Sequence, residues 1–190
     1  MNEDQENQQN ETKELFIHIQ WSGPYPFKEG EHLKGTSNYG IYQIYGHHPV
    51  YGSGVLLYIG RNEWQCFSDR GVSEHGEHLQ NQDAGCLELY VGRLIGRETP
   101  TNEKWNEHIR LAERLLIHAH RPAWNSQMEL GDLEKELRYV HVVNWCQYRS
   151  LMAEVSGARW TTRFDEIKFG QFYDTEHFGQ PTQVMNEIPK

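Results

Sequence analysis

Apolar and polar residues are distributed very unevenly along the chain, and that distribution predicts its elements. Residues 1–14 hold five acids, one lysine and almost no apolar groups, so they are expected to form a disordered acidic tail. Leu15 to Trp21 alternates as a strand does, until Gly23, Pro24 and Pro26 interrupt it and Lys28 to Gly35 read as a loop. The densest strand signal follows, Tyr39 to Tyr45, then a turn-rich stretch from Gly46 to Gly54 and a second β-rich run, Val55 to Gly60. Two such runs so joined predict an antiparallel hairpin. Residues 61–85 are polar and read as a loop with a short helix, and Leu87, Leu89 and Val91 alternate as a third strand. Next comes the clearest helix. Thr99-Pro100 supplies a start signal, Trp105, Ile109, Ala112, Leu116 and Ala119 form an apolar stripe, and Arg121-Pro122 provides the stop. Beyond it a strand is predicted from Leu137 to Trp145, a helix from Ser150 to Arg163, and a loosely ordered tail over 171–190. The expected class is α+β, a small three-stranded antiparallel sheet flanked by helices. Residues 15–126 would form the main domain, with 127–170 packed on it as an extension.

Composition narrows the class further. With 190 residues, 37% hydrophobic and 12% aromatic, the chain can fill one core, which excludes both a tandem array and wholesale disorder. Nothing approaches the roughly 18 to 20 uninterrupted apolar residues that cross a bilayer, and Met1 opens onto Asn2, Glu3 and Asp4 rather than a basic and then apolar leader. A cytoplasmic location is the expectation. The cysteines, Cys66, Cys86 and Cys146, are odd in number and widely spaced, which suits free, mostly buried thiols rather than a disulfide framework. The net charge is −9, and much of the acidity lies in the two tails. Strong nonspecific binding to a polyanion is therefore not predicted.

The candidate chemistry lies on the hairpin and the helix. Gly40-Ile41-Tyr42 and Tyr58-Ile59-Gly60 occupy its two strands. After them come Arg70, His75, the helical Glu113, and Asn125 at the end of Pro122-Ala123-Trp124-Asn125. In this order the residues resemble the GIY-YIG nucleases, over roughly residues 39–126. The resemblance implies a metal-dependent endonuclease that hydrolyses phosphodiester bonds in DNA, with RNA the less favoured substrate. It implies that Glu113 holds one divalent ion, Mg²⁺ or Mn²⁺, that Tyr42 activates a water and that Tyr58 assists it. Arg70 would contact the phosphate, His75 would orient or accept a proton, Asn125 would brace the site, and Gly40 and Gly60 would let a phosphate approach. Arg61, directly after the second tripeptide, competes with Arg70 for the arginine role, and His78 competes with His75.

Elementary chemistry bears on each of these roles. A single carboxylate suffices for Mg²⁺, which keeps much of its hydration. Glu113 flanks the apolar stripe and can point toward the hairpin. A free phenol, with a pKa of about 10, is a poor base at neutral pH, so a neighbouring cation must favour its ionised form. A planar guanidinium suits two phosphate oxygens at once. Arg61, Arg70, Arg93, Arg97, Lys104, Arg110 and Arg114 are expected to build a local basic groove.

Rival chemistries fail on spacing. Cys66, His75 and His78, or His118 and His120, do not repeat a structural-zinc pattern, and His47-His48 reads as an exposed turn. No phosphate-binding or dinucleotide glycine motif and no nucleophile elbow is present. The alternative function is an inactive nuclease-fold module that binds partners within a larger complex. If double strands are cut, a homodimer or larger complex is expected, because one site cuts one strand.

Overall fold

The alternation that begins at Leu15 carries the first strand, β1 (Leu15–Pro26), through the Gly23-Pro24 interruption to Pro26, with a register shift between Ser22 and Tyr25. Ile17, Ile19 and Trp21 bury one side of it. The computed structural model describes residues 14–26, 40–62, 86–97, 100–125 and 134–160. The predicted hairpin is present as β2 (Gly40–His48) and β3 (Gly52–Asn62), followed by β4 (Glu88–Ile95). Strands β3, β2 and β4 lie side by side and antiparallel, as the sequence pattern implies.

The sheet is larger than the expected three strands. Its order is β3-β2-β4-β1-β5-β6, where β5 is Val140–Cys146 and β6 is Glu154–Ser156. Strand β1 pairs antiparallel with β4 on one side and parallel with β5 on the other, Leu15 lying opposite Val140. A parallel pair between distant segments needs a long crossover and leaves no local mark in the sequence, so the strands predicted at Leu15–Trp21 and Leu137–Trp145 carry no sign that they join this sheet. The chain beyond Asn125 thus contributes strands to the same sheet.

Among the described residues the helical cover is also simpler than expected. One long helix, α1 (Asn102–His120), packs on one face, and a single turn, α2 (Glu134–Leu137), precedes β5. The cap is Thr101, two residues past the predicted start, and its Oγ1 accepts a bond from the Lys104 N–H at 3.4 Å. Arg121 ends the helix in the left-handed conformation, its N–H returning to Ile117 O, with Pro122 following. The stripe is buried at Ile109, Ala112 and Leu116, and burial extends to Leu111, Leu115 and Ile117. Of the predicted helix over Ser150–Arg163, the described part, 150–160, is instead a turn, strand β6 and a 3-10 turn, Gly157–Trp160, and 161–163 lie outside the described residues. Pairing of β6 with the free edge of β5 buries Val155 and outweighs local helix preference.

Cys86 and Cys146 are exposed free thiols, contrary to the expectation of burial. Among the described residues no helix is long and apolar enough to cross a membrane. The predicted N-terminal tail, apart from Glu14, the segment 63–85 with Cys66, Arg70, His75 and His78, and the tail over 171–190 lie outside the described residues.

Candidate active site

Strand alternation divides the candidate residues between two faces of the sheet. Ile41 pairs with Arg61 and faces α1, as Ile59 does. Tyr42 pairs with Gly60, Ile44 pairs with Tyr58, and these point to the opposite face, into a cluster with Leu57, Leu87, Leu89 and Val91. The register passes from Ile44–Tyr58 to Tyr45–Leu56, so Leu57 is the extra residue of a bulge. That bulge lets Leu57 join Tyr58 on the back.

The two tyrosines meet there. Their ring centroids are 5.9 Å apart at 34°. A Cβ on Gly60 would lie 2.5 Å from Tyr58 Cε1 and 2.6 Å from both Cζ and Oη of Tyr42. Glycine is therefore the residue that lets both phenols lie across this strand. Gly40 is constrained differently: its φ is +153° and a Cβ would fall 2.3 Å from Gly92 O, so it serves the close packing of β2 on β4.

Asn125 braces the second tripeptide from outside. Its Oδ1 accepts from Ile59 N at 2.9 Å and its Nδ2 donates to Ile59 O at 2.8 Å, so the amide pairs with the edge strand as another strand would. Ala123 N and Trp124 N donate to Leu56 O and Leu57 O, at 3.3 and 2.9 Å. The segment after α1 thus closes the outer edge of β3.

Glu113 and Arg61 form a separate pair on the helix side. Arg61 Nη1 stands 3.0 Å from Glu113 Oε2, and the carboxylate is only 4% exposed. The structure brings Tyr42, Tyr58 and Gly60 together, with Asn125 behind them, and brings Arg61 to Glu113. Strand β3 lies between the two groups. Arg70 and His75 fall outside the described residues, so the choices between Arg61 and Arg70 and between His75 and His78 stay open.

Several cations of the expected basic groove are engaged by side chains near them, Arg61 by Glu113 as above. Arg110 and Arg114 both engage Glu136, at 2.7 Å for Arg110, and the hydrogen bond from Arg110 holds that carboxyl below its usual range. Arg93 lies on the back face and donates to Ser22 Oγ at 3.3 Å. No group of three or more His, Cys, Asp or Glu gathers to hold a metal among the described residues.

Two histidines outside the motif, His120 and His48, have structural roles. His120 Nδ1 bonds Leu116 O at 2.9 Å while its Nε2 accepts from Met152 N at 2.8 Å, and burial lowers its pKa. His48 accepts from Val50 N and Tyr51 N in the hairpin turn.

Asn62 was missed by motif reasoning. It is fully buried two residues beyond Gly60, on the phenol side by alternation, and neither end of its amide has a hydrogen-bond partner among the described residues. Period-two reading from Tyr58 through Gly60 would have found its face, but not its burial.

No family model, curated protein or solved structure matches this chain.

Proposed function

We propose that the chain is a metal-dependent endonuclease of the GIY-YIG kind, acting on phosphodiester bonds in DNA. The observation that carries this reading is the meeting of Tyr42 and Tyr58 over Gly60, on a strand held at Ile59 by Asn125. Two phenols at a glycine-cleared strand position can hold one water between hydroxyl groups. Tyr42 takes the proton of the attacking water and Tyr58 supports it by hydrogen bonding. Arg70 or Arg61 meets the phosphate, and His75 orients or accepts a proton.

Glu113 suits Mg²⁺ or Mn²⁺ as a hard oxygen donor, and Mg²⁺ needs only one or two carboxylates beside its waters. An ion held by Glu113 would supply charge stabilisation to a phosphate and its leaving oxygen, and that phosphate would have to span the edge of β3, which separates Glu113 from the phenols. Arg61 already neutralises this carboxylate, so guanidinium and ion compete for it. Arg61→Gln leaves the buried Glu113 without that partner and should destabilise the fold by about 3 kcal/mol. If Glu113 is the ligand, millimolar Mg²⁺ restores much of the melting temperature in this variant and little in the wild type. Equal Mg²⁺ responses would remove Glu113 as the ligand.

The Arg61–Glu113 pair and the burial of Tyr42 favour a second reading. Here the ion pair only holds α1 to β3, the tyrosines are packing, and the chain is an inactive module that binds partners, alone or as a homodimer. A plasmid-nicking assay with Mg²⁺ or Mn²⁺ separates the two. The nuclease reading expects cleavage that Glu113→Ala and Tyr42→Phe each abolish, and cleavage indifferent to both substitutions would defeat the site.

A further inference from the structure

The back face that carries the phenols continues past β4 onto β1 and β5, where it bears exposed rings. Phe16 is 57% exposed and Trp145 48% exposed, both far above what a packed sheet face would leave open. Between and beside them stand two imidazoles. Phe16 pairs in register with His141 and stacks on it at 4.7 Å, and Trp145 Nε1 donates to His18 Nδ1 at 3.1 Å. The rings therefore hold one another in place rather than projecting independently. Phe16 lines two hollows, one of about 240 Å³ shared with β5 and β6, and one of about 670 Å³ at the end of the sheet whose far wall is the first turns of α1, Thr101, Lys104 and Trp105.

Register ties these rings to the phenols. Tyr42 lies beside Val91 on β4, and Val91 beside Ser22 on β1. Gly40 packs against Arg93, Arg93 pairs with Gln20, and Gln20 pairs with Trp145. A guanidinium thus stands between the tyrosine end of the face and the ring-bearing end. Arg159 adds positive charge at the smaller hollow, Glu154 opposes it there, and Glu14 is engaged by His141 at 2.6 Å.

We propose that this half of the sheet is a stacking platform for single-stranded DNA, its bases lying on Phe16 and Trp145 and its backbone passing Arg93 toward Tyr42. Exposed aromatic rings on a sheet face bind unpaired bases because every base offers a flat π-surface, whereas a duplex hides those surfaces. The chain carries a net negative charge, so stacking rather than a basic surface has to supply the affinity. The proposal rests on the nucleic-acid reading above and adds the form of the strand and the place that holds it.

The test is fluorescence anisotropy of a labelled oligothymidylate with the full chain in EDTA, so that no cutting interferes. The wild type should bind this probe at least about tenfold more tightly than a duplex of equal length. Phe16→Ala and Trp145→Ala should each weaken binding about tenfold while keeping a cooperative melt, each ring being about half exposed, and Phe16→Tyr should retain binding. Preference for duplex or RNA, or ring variants that bind like the wild type, would overturn the platform. So would variants that alter only sedimentation, since the face would then be a contact between copies. A chain that holds the single strand by these rings yet never nicks DNA with Mg²⁺ supports the platform and defeats the nuclease reading alone.

Discussion

Two residues on the phenol side of β3 have opposite packing problems. Gly60 has no room for a methyl group, since a Cβ would enter the van der Waals radii of both tyrosine rings. Gly60→Ala should therefore cost about 1–3 kcal/mol and separate the rings, read as a lower urea midpoint and an altered near-ultraviolet tyrosine signal. Asn62 is the reverse case, a buried amide whose donor and acceptor both lack partners among the described residues. Leaving such a group unsatisfied costs about 1–3 kcal/mol, so Asn62→Leu, which keeps the branched skeleton but is larger, should raise stability by up to that order less what overpacking costs. A fall in its urea midpoint would mean that the amide is satisfied in solution. A rise in stability with a loss of cleavage would place Asn62 among the groups that hold the substrate.

At the scale of elements, the C-terminal end of α1 is latched to the turn before β6 through one ring. His120 bonds Leu116 O within the helix and accepts the Met152 N–H from the turn, an arrangement that requires an unprotonated Nε2. Burial lowers its pKa from the ordinary value near 6.5. The unfolded chain then binds the proton more readily than the folded one, so stability rises with pH through this window. The latch contributes fully above pH of about 6.5 and weakens as pH falls through that value toward the lower folded pKa. His108 is shifted the same way by burial and adds to the slope. Urea midpoints should decline on acidification from about pH 7 to 5, and less steeply in His120→Gln. An unchanged slope in that variant would assign the effect to other groups.

For the whole molecule, the decisive contact is β1 against β5. Ile17 and Ile19 share a core with Val140, Val142, Leu137 and Val155, so the region after Asn125 supplies a substantial part of the apolar interior. Each such side chain contributes about 1.5–3 kcal/mol against a typical total of roughly 5–15 kcal/mol. A chain ended at Asn125 keeps every motif residue named above and should still fail to fold. Far-ultraviolet circular dichroism without a cooperative melt is the expected result. A cooperative melt would show that the motif region is an independent unit with the later strands as an accessory.

The sequence by itself determined whatever depends on neighbours a few residues apart. The hairpin of β2 and β3 and the apolar stripe of α1 follow from period-two and period-3.6 patterns. So does the meeting of the two tripeptides, because a hairpin brings its own strands into register. Tertiary structure decided the rest. It joined β5 to β1 in parallel, made residues 150–160 a turn, a strand and a 3-10 turn at the sheet edge where a helix is expected, and set Arg61 against Glu113 across β3 from the phenols. Those outcomes depend on which distant surfaces bury each other, and on a one-residue bulge at Leu57 that changes where the following side chains point. No local periodicity encodes them, because the energies that select them arise only once the chain has closed on itself.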